Sequence, residues 1–527
     1  AASKARVENH GSIIANGGTV ALIAPNVVNT GSIKTPNGVT HLTSANQVTL
    51  ALQDGSLTQF QVDQGVVQGL VDNQGAIVAD NGAVYLTAKG KDALSRAVVN
   101  HSGIIEANRL SHNAKGEVIL LADMQTGQTN VSGRISAQGM NEQDGGFIET
   151  SAAVINIADS ADITTLSAQG KTGEWLIDPF NVIISNGANA GSQNNSNTFN
   201  PSQNDSIINV GTLQTALDKN NVTVTTAGSG TQEGNITVAD AVTWSKNTDL
   251  TLSAHNNIYI NANITASHNN AGLNLEYGQA NKAAGNQSDY YLAQGVKVNL
   301  QEGQNFTTKL GNDVTNPTVY TVITKLGSAN SNQATDLQGI NKDLAGKYVL
   351  GADIDASATA TWNKSGQDYL GFKPLGGDIS TEFTGRFDGL GHSITGLTVN
   401  RPNEFYAGLF GRTYGSDIRN VHLQGGDVKG LQNVGGLVGY NSGTISNSSA
   451  TGNVSANSAA YAYVGGLVGY NQSGAISNSS ATGNVSATST SYYAYAGGLV
   501  GYNQSGAISN SSAKGNVSAN SASSIAS

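Results

Sequence analysis

The groups in this 527-residue chain that could ligate a metal or move a proton are few and scattered. Its eight histidines are His10, His41, His101, His112, His255, His268, His392 and His422. A zinc hydrolase needs two histidines four apart on one helix face with a glutamate between them, and no His-Glu-x-x-His is present. The absence of cysteine removes disulfides, thiolate nucleophiles and cysteine-ligated zinc or iron–sulfur centres. No Gly-x-Ser-x-Gly elbow, phosphate-binding loop or calcium nonapeptide occurs. Asp353, Asp355 and Asp388 remain as carboxylates that could bind calcium or cleave a glycosidic bond. Glycosidase chemistry requires two carboxyls at a defined separation, which is a property of the fold. Asp388 stands in a glycine-flanked turn, where a carboxylate caps local amides, and that structural role is preferred. The expectation is no catalytic centre, no metal and no cofactor.

The elements that would have to position any site are short and repetitive. Gly435-Gly436-Leu437-Val438-Gly439-Tyr440-Asn441 returns at residues 465–471 and 497–503, and Gly408-Leu409-Phe410-Gly411 is a variant earlier copy. The matching glycines at 411, 439, 469 and 501 are 28, 30 and 32 residues apart, a period that signals a stacked array. A looser pattern fills the first 190 residues: Asn9-x-Gly11-x-Ile13, Asn29-x-Gly31-x-Ile33, Asn73-x-Gly75-x-Ile77 and Gly133-x-Ile135. Apolar residues at alternate positions over such short runs predict strands, with Gly and Asn supplying left-handed or tight corners between them. Crossover helices are missing from the pattern. The predicted fold is therefore all-β, a right-handed parallel β-helix drawn out as an elongated rod with loop insertions. Val210 to Asp218 reads as a short helix, Ser192 to Asp205 as an Asn-rich surface loop, and Gln333 to Asp343 as weakly helical.

Composition bounds the partners. Charged residues are 12%, and Lys plus Arg (26) fall short of Asp plus Glu (36), for a net charge of −10. Without a clustered basic face, nucleic acid is excluded as a partner. No stretch approaches the length of a membrane span, so membrane insertion is not expected either. With 38% hydrophobic residues placed periodically the chain can bury a core despite its Gly, Ser and Asn content. No signal peptide opens the sequence and the repeats stop mid-pattern, which reads as an internal fragment.

Two stretches carry a resemblance to a known family. The first 190 residues, including Glu174-Trp175-Leu176-Ile177-Asp178-Pro179-Phe180-Asn181-Val182, and residues 348 to 518, led by Leu350-Gly351-Ala352-Asp353-Ile354-Asp355-Ala356, resemble two-partner secretion exoproteins. These are the filamentous-haemagglutinin-like and high-molecular-weight adhesins with GLUG repeats, similar to the cyclic-di-GMP-regulated matrix adhesin. The usual Asn-Pro-Asn motifs of the transporter-recognising portion are not in this sequence. The resemblance implies export through an outer-membrane two-partner secretion transporter, and a place outside a Gram-negative cell, secreted or anchored at its surface. It also implies a role in attachment, aggregation or biofilm, with exopolysaccharide or a host surface glycan or receptor as the bound partner.

The expected organisation is a haemagglutinin-type β-helix over 1–190, an irregular continuation over 191–347, the GLUG-repeat β-helix over 348–518 and a truncated tail over 519–527. Gly439, Gly469 and Gly501 with Tyr440, Tyr470 and Tyr502 are read as structural repeat positions, the tyrosines packing coil on coil or offering a flat ladder to sugars. The tracts Asn457 to Val464 and Thr488 to Ala496 vary in length and are read as loops. Their Tyr461, Tyr463, Tyr492, Tyr493 and Tyr495 are the preferred ligand contacts. Asn447, Asn478 and Asn510, each in Asn-Ser-Ser, are glycosylation-type sequons, with asparagine stacking inside turns the stronger account. Multivalent glycan adhesion is the function these residues favour. A β-helix polysaccharide-degrading enzyme and a passive stalk presenting a tip or toxin are the alternatives.

Overall fold

A computed structural model describes residues 5–53, 56–92, 94–158, 160–178, 181–187, 206–226 and 233–522. The predicted loop Ser192 to Asp205, Pro179 and Phe180 of the quoted phrase, and the end of the predicted tail lie outside those residues. The chain divides into two compact units, residues 1–293 with 307–318, and residues 294–306 with 319–527. Nearly all regular structure is parallel strand, so the fold is all-β.

In the first unit one turn of chain is three short strands. β1 (Arg6–Asn9), β2 (Ser12–Ile14) and β3 (Thr19–Ala24) form one coil; β4 (Asn26–Asn29), β5 (Ser32–Lys34) and β6 (Val39–Ser44) form the next. Each strand pairs parallel with its counterpart one coil on, so Asn9 faces Asn29, Ile13 faces Ile33 and Leu22 faces Leu42. This is a parallel β-helix. The period-2 alternation decides which side chains go inside: Val84 and Leu86 are fully buried while Tyr85 between them points out. Identical residues stack, and Ile33, Ile77, Ile105 and Ile135 make one wholly buried column.

The glycines two residues before that column do not serve as left-handed corners, contrary to the expectation. None of Gly31, Gly75, Gly103 or Gly133 has positive φ. A Cβ on Gly31 would lie 2.1 Å from the Gly11 carbonyl oxygen, and one on Gly75 or Gly103 the same distance from the preceding glycine's oxygen. They are glycine because successive coils touch there, backbone to backbone. The asparagines before them are equally not corners. Asn9 donates to Asn29 Oδ1 at 2.8 Å, Asn29 to Asn73 Oδ1 at 2.7 Å, and Asn73 meets His101 Nδ1 at 3.1 Å. An amide carries both donor and acceptor, so the ladder satisfies itself at every step in a buried position.

Two insertions interrupt the coils of this unit. An antiparallel hairpin, β7 (Gln47–Gln53) and β8 (Ser56–Gln64), leaves the helix between β6 and the strand Gln68–Asn73. The predicted helix forms as α1 (Val210–Leu217), capped by Asn209 Oδ1 accepting from Thr212 N and burying Leu213 and Leu217. Asn220 bonds to Ile163 O and Thr165, while Gln214 accepts from Thr243 N, so α1 occupies one level of the stack.

In the second unit, Phe410–Arg419, Val438–Ser446, and Val468–Gln472 with Ala475–Ser477 stack as one ladder. Asn433–Gly435, Ala462–Gly465 and Ala494–Gly497 stack as another. Phe383, Phe387 and Phe410 seal the interior where the repeats begin, with ring centroids 4.8 and 5.4 Å apart. Gln333 to Asp343 contains one 3-10 turn, Gln338–Lys342. Asn447, Asn478 and Asn510 do sit in turns, at φ of 48–49°, but exposed rather than stacked inside. The inward ladder is made instead by Asn441, Asn471 and Asn503, each amide donating to the next at 2.8 Å. Among the described residues no helix is long and apolar enough to cross a membrane.

Candidate functional site

The tyrosines of the second unit are gathered by its glycines. A Cβ on Gly469 would stand 2.5 Å from Val434 N and 2.7 Å from Gly439 O, and one on Gly501 2.5 Å from Val464 N and 2.7 Å from Gly469 O. Only a residue without a side chain lets the strands Asn433–Gly435 and Ala462–Gly465 lie flush against the ladder that carries Tyr440 and Tyr470. That close approach brings two columns of rings into contact. Tyr440 and Tyr470 are in register and stack at 5.0 Å with planes 11° apart; Tyr470 and Tyr502 follow at 5.1 Å. Tyr463 and Tyr495 stack beside them at 5.2 Å and 13°.

The columns interlock edge to face. Tyr463 meets Tyr470 at 5.2 Å and 89°, and Tyr495 meets Tyr502 at 5.4 Å and 69°. Ring edges thus point at ring faces, the arrangement the aromatic quadrupole prefers. Tyr461 extends the surface, stacking on Tyr492 at 5.2 Å and lying 5.9 Å from Tyr463 and 6.0 Å from Tyr493. Tyr463, Tyr470 and Tyr495 are half-buried, whereas Tyr492 is 51% exposed. Burial first, then the neighbouring phenols, pushes Tyr463 up to about 12, and the same causes raise Tyr470. Tyr463 and Tyr470 therefore offer neutral hydroxyl groups beside packed rings through the ordinary pH range.

All five tyrosines chosen from the sequence come together, but their setting differs from the expectation. Tyr463 and Tyr495 belong to paired strands rather than loops, because Ala462-Tyr463 and Ala494-Tyr495 are themselves repeat positions in register. The division into structural and ligand-facing tyrosines also dissolves, since Tyr470 and Tyr502 both touch Tyr463. Tyr406 and Arg412 were missed. Arg412 pairs in register with Tyr440, its guanidinium 4.0 Å over that ring and 5.5 Å from Tyr406, and it is ion-paired to Glu382. Aligning Gly411-Arg412 with Gly439-Tyr440 would have placed it there.

The carboxylates are each taken up locally. Asp388 is buried, accepts from Leu390 N at 2.8 Å and Asn420 Nδ2 at 2.9 Å, and pairs with Arg419. Asp353 binds Lys297 at 2.6 Å, Ser393 N and the buried His392. Those partners hold it down near 2 against the opposing pull of burial. Asp355 caps Ser357 N at 2.9 Å. Among the described residues no three His, Asp or Glu side chains are grouped to hold a metal ion.

The model of the GLUG motif matches residues 430–455, 460–486 and 492–518, the coils that carry the tyrosine columns. Over 142 residues, 25% of this chain, the sequence is 39% identical to halomucin of Haloquadratum walsbyi, of which that stretch is 2%. Over 101 residues, 19% of this chain, it is 33% identical to the heme/hemopexin-binding protein of Haemophilus influenzae, of which that stretch is 10%. The matched region is thus a small part of either relative. GLUG repeats and similarity to these proteins fit an adhesin-type surface protein.

Proposed function

We propose that this chain is a stretch of a secreted adhesin that holds exopolysaccharide or a host surface glycan through many weak contacts along the tyrosine columns of its second unit. The observation that carries the reading is the repetition of one aromatic group in register, coil after coil. Neutral phenols beside ring faces and edges suit the mixed apolar and hydroxylated faces of sugars, and repeats of one weak contact gain strength by linkage. The carboxylates support a non-enzymatic role, since each is engaged in holding a turn or an ion pair. Export through an outer-membrane two-partner transporter, display on a Gram-negative cell and a part in attachment, aggregation or biofilm complete the proposal.

The test is retention of the purified chain on immobilised bacterial exopolysaccharides and host glycans, with haem and hemopexin added because one relative carries their names. At about 1 kcal/mol per ring removed, Tyr463→Ser with Tyr495→Ser weakens retention about tenfold or more. Retention unchanged in the double variant overturns the site; soluble sugar fragments released by the parent chain overturn the non-enzymatic reading.

A further inference from the structure

The β7–β8 hairpin of the first unit does more than decorate the helix. Its Leu57, Phe60 and Val62, with Val39, Ile119 and Leu121 on the outer face of the coils, enclose an open groove of about 880 Å³, within the range of small-molecule sites. Lys89, Lys91 and Lys115 also line it, against Asp92 and Asp123. We infer that this groove binds an amphipathic organic anion, a carboxylate with a flexible hydrocarbon tail.

Three observations carry the class of ligand. First, the acids of the rim are already engaged. Asp123 accepts from the amides of Gly90, Gln125 and Thr126, and Asp92 from Leu94 N and Ser95 Oγ. Lys91 is exposed and makes no ion pair among the described residues, so its ammonium is left for an anion from outside.

Second, His41 lines the groove at 8% exposure, and among the described residues neither ring nitrogen has a protein partner. The ring nitrogens are not sealed inside the fold, so they open on the groove, where a ligand's polar group can reach them. Burial, and Lys115 nearby, push His41 down to about 4, so the group on offer is a neutral imidazole.

Third, the faces of His41 and Tyr85 are occupied. His41 is sandwiched between Phe60 at 4.0 Å and Tyr85 at 4.9 Å, and Lys115 lies 5.2 Å over the Tyr85 ring while bonding its hydroxyl. What remains for a ligand, beside one side of Phe60, is ring edges and branched aliphatic groups. Those surfaces fit a bending hydrocarbon better than a flat ring system needing a face to stack on.

The experiment titrates the full chain with dansylated undecanoic acid and, in parallel, its methyl ester, reading dansyl emission. The expected result is saturable micromolar binding of the acid, weakened about tenfold by Lys91→Glu, as loss and reversal of one charge contact implies. The ester binds more weakly and ignores that change. Ile119→Trp, at an outward position, fills the groove and weakens both probes, while the Tyr463→Ser/Tyr495→Ser variant binds like the parent. Absence of saturable binding, equal affinity for acid and ester, or insensitivity to both Lys91→Glu and Ile119→Trp overturns the inference.

Discussion

Replacing Asn471 by Ala tests whether the inward asparagine ladder holds the repeat coils together. The side chain is fully buried. It accepts from Asn441 Nδ2 at 2.8 Å and donates to Asn503 Oδ1 at 2.8 Å and Gly474 O at 3.1 Å. Alanine removes all three bonds. Asn441 Nδ2 keeps a contact to Gly443 O at 3.2 Å, and Asn503 is exposed, so the full penalty falls chiefly on the buried Asn471–Gly474 region. The Asn441 and Asn503 ends find other partners, so the count is the Asn471–Gly474 bond at about 1 kcal/mol and about 1–3 kcal/mol for the buried group left unpaired, an expected destabilisation of about 2–4 kcal/mol. Asn503→Ala, whose side chain water can reach, costs less than about 1 kcal/mol. Urea unfolding in a Trp362→Phe background, followed by near-ultraviolet dichroism, reads the tyrosine-rich coils, while emission from the two remaining tryptophans, the buried Trp175 and Trp244, reads the first unit. In a stack each coil leans on its neighbours, so the tyrosine signal shifts and the tryptophan signal stays. Equal, sub-kilocalorie effects for the two substitutions would refute the ladder as a source of stability.

Other perturbations follow from the same geometry. Gly469→Ala drives a Cβ against Val434 N and Gly439 O, so it destabilises the coil by about 1–3 kcal/mol or more and lowers hydrogen-exchange protection of residues 433–441. Asp178 has one buried carboxylate oxygen without a partner, and burial, then the Glu149 charge, pushes it up to about 6 from 3.8. A raised carboxylate is harmless when protonated in both states. Stability therefore falls as pH rises from about 4 to about 6 and is level above, by about 3 kcal/mol for a shift of that size. Asp178→Asn abolishes that slope and raises the denaturation midpoint at pH 7.5; an unaltered pH profile contradicts the assignment. His41 gives the opposite sign: held down to about 4, it costs stability as pH falls from 6.5 toward 4, and His41→Phe flattens that limb in acid denaturation.

The periodic parts of this fold were legible because a stacked coil repeats its inward residues: the isoleucine column, the Gly-Leu-Val-Gly-Tyr-Asn phrase and the α1 cap are all visible as spacing. What spacing did not convey was why a residue recurs. Gly31 and Asn29 recur because the coil above touches one and hydrogen-bonds the other, and a single sequence cannot distinguish that from a turn requirement. The hairpin was missed because its two alternating runs look like two more coil strands, although Asp54-Gly55 between them is a hairpin signal in its own right. The tyrosines proposed to face a ligand are legible by type but not by setting. A tract whose length varies reads as a loop throughout, whereas its first residues, Asn457 and Ser458, and its last, Ala462 to Val464, pair in register with the next coil and only the middle varies. Register shows this directly: Gly430 opposes Ala456, an offset of 26, while Asn433 opposes Tyr463, an offset of 30, so four residues are absorbed before the strand resumes.

The ladders of the second unit place their interstrand hydrogen bonds along the stacking direction, so a pull in that direction loads them one coil at a time rather than all together. Each coil that peels away releases about 30 residues, on the order of 100 Å of slack, before the next is strained. The proposed attachment surface, built on such coils, would yield in instalments under flow, lengthening while the remaining tyrosine contacts stay seated. Force spectroscopy would record it as evenly spaced rips, and glycines such as Gly469 would set the force at which each one begins.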